Sequence, residues 1–489
     1  GPGPSGSPAI AVDSVGVIHV AWYDNSPGNW EILYSNTSDG ASWTAPQNVS
    51  ANASYSLVPS IAIDSLDTVA IVWQDYGGPR IAWQGTLLYK TREPGEDFAP
   101  FEAISSTAGF GGYPEVRDPH LAIDSNNTTH LVWAGNTASG YRIFYARKPL
   151  GGLWTFPRVV NPGWGACFHP TLAIDGDDHL HLVWQELLTV DTQTDIYYTT
   201  LLPDGSWTPP ANLSNNPGNS QGPRIISSPA GALRVVWHDY TDSPDQAEIF
   251  YTERIPGGSW SAAENVSRTS GDSAGPSLAE DAFGALHLVW YDNTPGNWEI
   301  LYATRLQSGV WTSGANISQT PGRSGQPRLI YDTRGTLHLV WADDTPGDFD
   351  VFYTSKAIPP FSTSLKHATR TTLAGSTIGY TIVIENSSPS PIMLFLTDTL
   401  PAETSYVPDS AYAETGTISL AGDAVLWSGV APAGGRVHVG FAVTVNPGVA
   451  VGSEIRNRAA VSDAAGATLA LEAVTRIVLS RLAIPIIQA

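Results

Sequence analysis

A run of apolar residues that ends in tryptophan recurs along the first three quarters of the chain, each time followed by a polar loop. Runs such as Leu288–Trp290 are apolar at successive positions, which predicts a β-strand that is covered on both faces. The tryptophans that end these runs are Trp22, Trp73, Trp133, Trp184, Trp237, Trp290 and Trp341. Their spacings are 51, 60, 51, 53, 53 and 51 residues (73 − 22, 133 − 73 and so on). A period near 50 residues with strand-like content predicts a β-propeller, here with seven blades.

Each repeat contains the material for four strands. A short apolar run follows a proline, as in Pro8–Asp13, and we predict it to be the innermost strand. An Asp-x-x-Gly turn then leads to the tryptophan strand. The third strand ends in a tyrosine such as Tyr34, and the fourth opens at a second tryptophan, Trp43. Stacked blades cover both faces of such sheets.

The pattern changes at about residue 363, where tryptophan becomes rare and short alternating strands such as Ala374–Asn386 take over. Short strands with frequent turns predict an immunoglobulin-like β-sandwich. We therefore predict an all-β chain, with a seven-bladed propeller followed by an immunoglobulin-like sandwich and a C-terminal strand or tail. The predicted segments are an N-terminal tail (1–7), the propeller (8–356), a linker that is also a candidate fourth strand of blade seven (357–363), the sandwich (364–480) and a hydrophobic tail (481–489).

The composition excludes some partners. Acidic residues outnumber lysine plus arginine by 46 to 24, which gives a net charge of −22. Nucleic acids and anionic membranes need clustered cations, so we expect neither as a partner. The chain has no apolar run of about 20 residues, and we expect no membrane span. Its single cysteine, Cys167, permits no intrachain disulfide. The acidic, Gly/Pro/Ser/Thr-rich composition favours an extracellular or cell-surface location, and the first residues suggest an already processed chain.

Two stretches carry resemblances to known families. The turns Ser38-Asp-Gly-Ala-Ser-Trp43 and Pro203-Asp-Gly-Ser-Trp207 resemble the Asp-box of sialidase-type (BNR-like) β-propellers. That resemblance implies architecture and not chemistry, because Asp-boxes occur in enzymes, lectins and scaffolds alike. Residues 363–478, with Tyr380-Thr-Ile and Thr397-Asp-Thr-Leu-Pro401, resemble a repeat domain of unknown function from bacterial surface proteins. This second resemblance implies an extracellular spacer.

A carboxylate stands two residues after the tryptophan in six of the seven repeats, and Asp24 is the first of them. A residue that recurs in every blade usually serves the blade, so we predict that these carboxylates cap the loops that follow. We likewise predict structural hydrogen bonds for the recurring strand histidines, among them His19 and His287. Calcium is the alternative for one loop, whose weak candidate ligands are Asp343, Asp344, Asp348 and Asp350. We expect no other cofactor.

Residues that break the sevenfold repetition are the better candidates for binding. The 60-residue spacing adds aromatic and charged side chains to one sector of the loop face, a combination that proteins use to bind sugars. The candidate glycan-binding residues are Arg80, Trp83, Tyr113, Glu115, Arg117 and Trp164.

The seventh repeat ends without a fourth strand, and an apolar stretch stands at the C-terminus. An uncovered strand edge pairs readily with another chain, so the leading hypothesis is a non-enzymatic, filament-forming or cell-surface subunit that assembles with itself through a donated strand. The candidate assembly residues are Leu482, Ile484, Pro485, Ile486 and Ile487. The alternative is a carbohydrate-binding adhesin or lectin that uses the propeller face. The third hypothesis is a glycoside hydrolase of the sialidase type.

Overall fold

The structure is a computed structural model, and it describes residues 3–478 except 77–84, 105–114, 161–164, 189–192, 229, 306–308, 389 and 465. The described residues form strands, turns and loops, and none of them forms a helix that is long and apolar enough to span a membrane. The chain divides into two compact units, Gly1–Lys356 and Ala357–Ala489.

The first unit contains seven small antiparallel sheets in chain order. Blade one is β1 (Ser5–Val12), β2 (Ile18–Asp24), β3 (Glu31–Thr37) and β4 (Gln47–Asn48). Blade two is β5 (Tyr55–Ile63), β6 (Val69–Tyr76), β7 (Gly85–Arg92) and β8 (Glu102–Ala103). Blade three is β9 (Val116–Ile123), β10 (Thr129–Thr137), β11 (Gly140–Lys148) and β12 (Arg158–Val159). Blade four is β13 (Ala166–Ile174), β14 (Leu180–Leu187), β15 (Thr194–Leu201) and β16 (Ala211–Asn212).

The remaining blades continue the same order. Blade five is β17 (Ser220–Ser227), β18 (Leu233–Asp239), β19 (Glu248–Arg254) and β20 (Glu264–Asn265). Blade six is β21 (Ser273–Glu280), β22 (Leu286–Asp292), β23 (Glu299–Arg305) and β24 (Ala315–Asn316). Blade seven is β25 (Ser324–Tyr331), β26 (Thr336–Asp343) and β27 (Asp350–Ala357).

The first strand of each blade contacts the first strands of its two neighbours, and β25 returns to β1, so the seven inner strands form a closed ring. Between blades, apolar side chains such as Leu121, Leu131 and Trp133 form the buried cores. The predicted seven-bladed propeller is therefore confirmed, together with the all-β fold class.

In the six blades that have it, the carboxylate after the tryptophan lies at the loop end of the blade. In blade six the buried Asp292 accepts hydrogen bonds from Ser273 Oγ at 2.6 Å, Trp290 Nε1 at 3.1 Å and the Thr294 backbone N–H at 2.7 Å. The same three kinds of donor surround Asp24 and Asp239. One carboxylate therefore joins the inner strand, the tryptophan and the loop, and the predicted capping role is confirmed.

The opposite end of the blade is held by the recurring histidine. In blade six His287 Nδ1 lies 2.7 Å from the Tyr302 hydroxyl, and its Nε2 lies 3.1 Å from Asp281 Oδ2. Equivalent His–Tyr–Asp contacts occur at His19, His130, His181 and His338. Five repeats of one arrangement indicate a structural role, which confirms that prediction for these histidines.

Blade seven has three strands in the described part of the chain, and β27 is its outer edge. The candidate fourth strand, 357–363, does not pair with it. Phe361 is instead buried in the core of the second unit, because its ring completes the apolar interior there. An open cleft of about 1120 Å³ lies along blades seven and one, lined in part by Trp22, Trp43 and Tyr353.

The second unit is a sandwich of two sheets. The first sheet comprises β28 (Leu365–Ala368), β30 (Thr377–Asn386), β36 (Gly435–Val445), β32 (Thr404–Tyr406) and β33 (Tyr412–Ala413). The second comprises β29 (Thr371–Thr372), β38 (Thr468–Ile477), β37 (Glu454–Asp463), β31 (Ile392–Thr399), β35 (Ala424–Ala431) and β34 (Thr417–Ala421). Strict alternation of buried and exposed side chains along β30 and β38 places every second residue in the core.

Replacing Asp292 by alanine should destabilise the propeller by about 2–4 kcal/mol, because a buried indole N–H and a serine hydroxyl lose a charged acceptor. Urea unfolding followed by tryptophan fluorescence measures this change. Asp245→Ala, which removes an exposed carboxylate from the preceding blade, is the matched control and should leave the midpoint unchanged. Equal midpoints for the two variants would contradict the capping role.

Candidate functional site

Every inner strand carries a bulge at its proline. The residue before the proline has a positive φ in all seven blades, between 43° and 61°. These seven residues are Ser7, Val58, Asp118, His169, Gly222, Gly275 and Gln326. Because the inner strands form a ring, the bulges form a ring as well, at the end of the central channel nearer the loop face.

The residue after each proline lies on the channel wall, against the next inner strand. The Leu121 N–H donates to Ser60 Oγ at 3.0 Å, and the Leu329 N–H donates to Ser277 Oγ at 2.9 Å. The equivalent positions in the other blades are Ala9, His120, Thr171, Arg224 and Arg328. Three blades thus place a large basic or titratable side chain where their neighbours have small residues.

Neither arginine has a carboxylate partner among the residues that the structure describes. Arg328 Nη1 donates to the Pro327 carbonyl oxygen at 2.9 Å, and Arg224 Nη1 donates to the Pro223 carbonyl oxygen at 3.5 Å. In the described part of the chain neither guanidinium forms an ion pair, although the charge of Asp118 acts on Arg224 from farther away. Both side chains are half-buried.

The two guanidinium charges act on each other. Burial lowers the pKa of Arg328, and the charge of Arg224 lowers it further, although blade six separates the blades that carry them. A guanidinium keeps its proton in proteins, so the lowered pKa reports a charge that lacks solvation and would gain from a bound anion.

Two histidines of the propeller are neutral, His120 on the inner strand β9 and His238 on β18 beside Gly222. Burial lowers the pKa of His120 to about 3, and the charges of Arg224 and Arg328 act in the same direction. The Leu172 N–H donates to His120 Nδ1 at 3.3 Å, which leaves the proton of the neutral ring on Nε2. Burial lowers the pKa of His238 to about 4, and its Nδ1 has no hydrogen-bond partner.

Further polar side chains complete the channel mouth. The pKa of Tyr291 is raised by burial, and its ring lies beside Gly275, where an added Cβ would approach Cε1 to 2.4 Å. His169 Nδ1 lies 3.2 Å from Asp118 Oδ2. His120, Arg224, Arg328 and the protonated phenol of Tyr291 therefore act on one another electrostatically, an arrangement suited to proton transfer on an anionic ligand.

A second cluster, the rim cluster, lies on the loop face beside the channel and consists of Glu115, Arg117, Tyr141 and Phe168. Arg117 Nε donates to Glu115 Oε1 at 2.7 Å, and the Tyr141 hydroxyl donates to Glu115 Oε2. The Arg117 guanidinium lies 5.4 Å from the centre of the Tyr141 ring, which packs 4.7 Å from Phe168. Burial and the bond to Glu115 both raise the pKa of Tyr141.

The structure brings two of the six predicted glycan-binding residues, Glu115 and Arg117, together in the rim cluster. The other four, Arg80, Trp83, Tyr113 and Trp164, lie outside the described residues. The candidate assembly residues Leu482, Ile484, Pro485, Ile486 and Ile487 also lie outside the described residues.

The calcium candidates are held by other contacts. Asp343 accepts hydrogen bonds from Ser324 Oγ at 2.7 Å and the Thr345 N–H at 2.8 Å. Asp344 pairs with Arg323 at 2.8 Å. The described residues contain no group of three or more His, Cys, Asp or Glu side chains arranged to hold a metal ion. Calcium binding by Asp343, Asp344, Asp348 and Asp350 stays a prediction.

The sequence prediction missed the channel residues, although the sequence carried a signal for them. The residue after the inner-strand proline is small in four repeats and is His120, Arg224 or Arg328 in the other three. This difference lies in the inner strands, whereas the predicted glycan-binding residues come from the loops.

No family model matches the sequence, and no curated protein matches it. The fold does match solved structures. One is an ulvan lyase from a new family of polysaccharide lyases, bound to GlcA(1-4)Rha3S, at 10% sequence identity and a TM-score of 0.51, covering 72% of this chain and 93% of that chain. Another is the polysaccharide lyase Uly1, at 10% identity and a TM-score of 0.39, covering 79% and 89%. A third belongs to a family of mannoside phosphorylases that contains glycoside hydrolases, at 11% identity and a TM-score of 0.32, covering 54% and 87%.

At these identities the likeness shows the propeller fold alone. The leading hypothesis from the sequence is nevertheless corrected by the match at a TM-score of 0.51, since that structure is a polysaccharide lyase. The predictions of a non-enzymatic filament subunit and of a chain without enzymatic activity are therefore wrong. They rested on the open edge of blade seven, and that edge says nothing about the chemistry in the channel.

Lowering the pH below 6.5 should destabilise the propeller, because His120 and His238 stay neutral when folded and take up protons more readily when unfolded. Their contribution is fully present above pH 6.5 and declines as the pH falls towards the folded pKa values of about 3 and about 4. His120→Gln should give a shallower decline in the thermal midpoint between about pH 6.5 and 4. His179→Gln, at an exposed imidazole, is the control and should retain the wild-type slope. An unchanged slope in His120→Gln would contradict burial of a neutral His120.

Proposed function

We propose that the propeller is a carbohydrate-active enzyme that cleaves an acidic polysaccharide at the mouth of its central channel. The observation that carries the proposal is the placement of Arg224 and Arg328, which have no carboxylate partner among the described residues, near the neutral imidazole of His120 and the protonated phenol of Tyr291. A carboxylate on a sugar would supply the charge that the arginines lack.

The groups fit β-elimination from a uronic acid residue. In that reaction a cation neutralises the uronate carboxylate, which makes the neighbouring C5–H acidic. A base then removes this proton, the C4–O4 bond breaks, and an acid protonates the departing oxygen. We assign the carboxylate to the two arginines, proton removal to the His238 imidazole and proton donation to the Tyr291 hydroxyl. His120 Nε2–H is placed as a further hydrogen-bond donor.

Hydrolysis fits the channel less well. Glycoside hydrolases generally flank the scissile bond with two carboxyl groups, one of them an acid. The residues on either side of the inner-strand prolines and those after the strand tryptophans include one described carboxylate, Asp118. This carboxylate is paired with His169. Elimination requires no carboxylate pair.

The rim cluster is proposed as an adjoining sugar subsite. The half-buried rings of Tyr141 and Phe168 offer an apolar surface to a sugar face, and the Glu115–Arg117 pair offers hydrogen-bond donors and acceptors to its hydroxyls. The predicted glycan-binding residues Arg80, Trp83, Tyr113 and Trp164, which lie outside the described residues, are also proposed to belong to this subsite. The ulvan lyase ligand contains glucuronic acid, which makes glucuronate polymers the first substrates to test.

An extracellular location also belongs to this proposal. The Asp-box resemblance is supported by the turn at Asp39, whose Oδ1 accepts the Ala41 and Ser42 backbone N–H groups at 2.9 and 2.7 Å. The resemblance of the second unit to a bacterial surface repeat supports a role as a spacer. Large acidic polysaccharides are met outside the cell, where such an enzyme would act.

Arg224→Gln and Arg328→Gln should each lower kcat/KM on a glucuronate polymer by about tenfold or more, because each removes a charged hydrogen bond to the carboxylate. The measurement is the rise in ultraviolet absorbance of the unsaturated uronate product. Arg147→Gln, at an exposed arginine on β11, is the control and should retain full activity.

Thermal midpoints of the same variants separate misfolding from loss of function. A wild-type protein that releases new reducing ends without the unsaturated product would contradict elimination. A protein inactive on every acidic polysaccharide in a panel of uronate polymers would contradict the proposed function itself.

A further inference from the structure

The core of the sandwich contains three polar side chains, one from the first sheet and two from the second. Lys366 on β28 donates from Nζ to Asp398 Oδ2 on β31 at 2.5 Å, and both side chains are fully buried. Asn457 on β37 is also fully buried. Asp398 stands opposite Ala459 in the β31–β37 ladder, so Asn457, two residues away, faces the same side of the sheet.

Several polar atoms in this part of the core lack a hydrogen-bond partner. Asp398 Oδ1, the Tyr380 hydroxyl and both the nitrogen and the oxygen of the Asn457 amide are buried without a hydrogen-bond partner. Buried amides are nearly always paired, and an unpaired one calls for an explanation. Asn386 in the same core shows the usual case, since its Nδ2 donates to the carbonyl oxygens of Ser390 at 2.8 Å and Ala431 at 3.0 Å.

The surroundings favour an uncharged amine. Lys366 Nζ lies 5.0 Å from the centre of the Tyr380 ring and 5.9 Å from that of Phe441. Burial lowers the pKa of Lys366 to about 8 against the attraction of Asp398. Burial also raises the pKa of Asp398, against the influence of Lys366 and of the Asn457 amide. A neutral amine beside a protonated carboxyl group is therefore accessible here, and a neutral amine is a nucleophile.

We propose that Lys366 and Asn457 join in an intramolecular isopeptide bond, with Asp398 as the proton-transfer group. The Lys366 ammonium first gives a proton to Asp398. The neutral Nζ then attacks Cγ of Asn457, whose carbonyl oxygen receives a hydrogen bond from the Asp398 carboxyl group. Asp398 carries the proton lost by Nζ to the amide nitrogen, the Cγ–Nδ2 bond breaks, and ammonia leaves. The product is one secondary amide, Nζ–Cγ, with no other reactant consumed.

Asn457, and not Asp398, is the electrophile for two reasons. The Lys366–Asp398 contact is made through a carboxyl oxygen, which suits proton exchange and leaves the carboxyl carbon behind it. The Asn457 amide has both polar atoms unpaired, so its conversion removes a buried NH₂ group that has no acceptor.

The bond would tie the first strand of the sandwich to its penultimate strand, across 91 residues of sequence (457 − 366). A covalent link across so long a loop restricts the unfolded chain strongly. It would also stop the two sheets from separating when the ends of the unit are pulled. The inference is independent of the activity proposed for the propeller.

The intact mass of the denatured full chain tests the proposal. We expect a mass one ammonia below that of the sequence, and a protease digest that contains a branched peptide joining the segments around Lys366 and Asn457. Asp398→Asn, which keeps the shape of the side chain, should fold, show the full sequence mass and unfold at a lower temperature. Lys356→Gln, outside the sandwich core, is the control and should still lack one ammonia.

Three results would overturn the proposal. The first is a folded wild-type protein with the full sequence mass. The second is a branched peptide that joins Lys366 to Asp398 with loss of water. The third is complete cross-linking in Asp398→Asn, which would remove Asp398 from the reaction. Circular dichroism of each variant establishes that the sandwich is folded before its mass is interpreted.

Discussion

The closure of seven inner strands into one ring is the constraint on which the propeller depends. Each inner strand must approach the axis beside two others, and each does so with a bulge at its proline and a residue in the left-handed region before it. The carboxylate that joins Ser273, Trp290 and the following loop in blade six, and its counterparts elsewhere, hold the strand in that position. Since the same backbone recurs seven times, the side chain that follows the proline lies on the channel wall in every blade.

The repeated backbone explains how a chain with a net charge of −22 holds in its channel two arginines that form no ion pair with a described carboxylate. The scaffold positions are filled by small residues in most blades, so Arg224 and Arg328 are exceptions within a repeated framework. Holding these two charges in a half-buried site costs free energy unless an anion binds beside them. The remaining acidity of the surface repels polyanions at long range, so any preference for an acidic sugar has to arise from these contacts within the channel.

The architecture was largely predictable, because it follows from local patterns. The spacing of Trp22 to Trp341 gives the number of blades, and the recurring carboxylates and histidines have the structural roles that repetition implies. The site was not predictable by the same reasoning. His120, Arg224 and Arg328 are separated by whole blades in sequence, and only the closed ring shows that their charges interact. In the sandwich, Lys366, Asp398 and Asn457 are 32 and 59 residues apart (398 − 366, 457 − 398), and each occupies an ordinary strand position. The emphasis on the open edge of blade seven led to the wrong function, because an unpaired strand is a property of the fold and does not report on the chemistry of the channel.

The central claim is that Arg224 and Arg328 make the channel a site for an anionic sugar. Isothermal titration of the full chain with a glucuronate oligosaccharide, and with the same oligosaccharide after reduction of its carboxyl groups to alcohols, tests this claim most directly. The account predicts binding of the acidic form and at least about a tenfold weaker affinity for the neutral form, as expected for the loss of a charged hydrogen bond. Equal affinity for the two forms would contradict it.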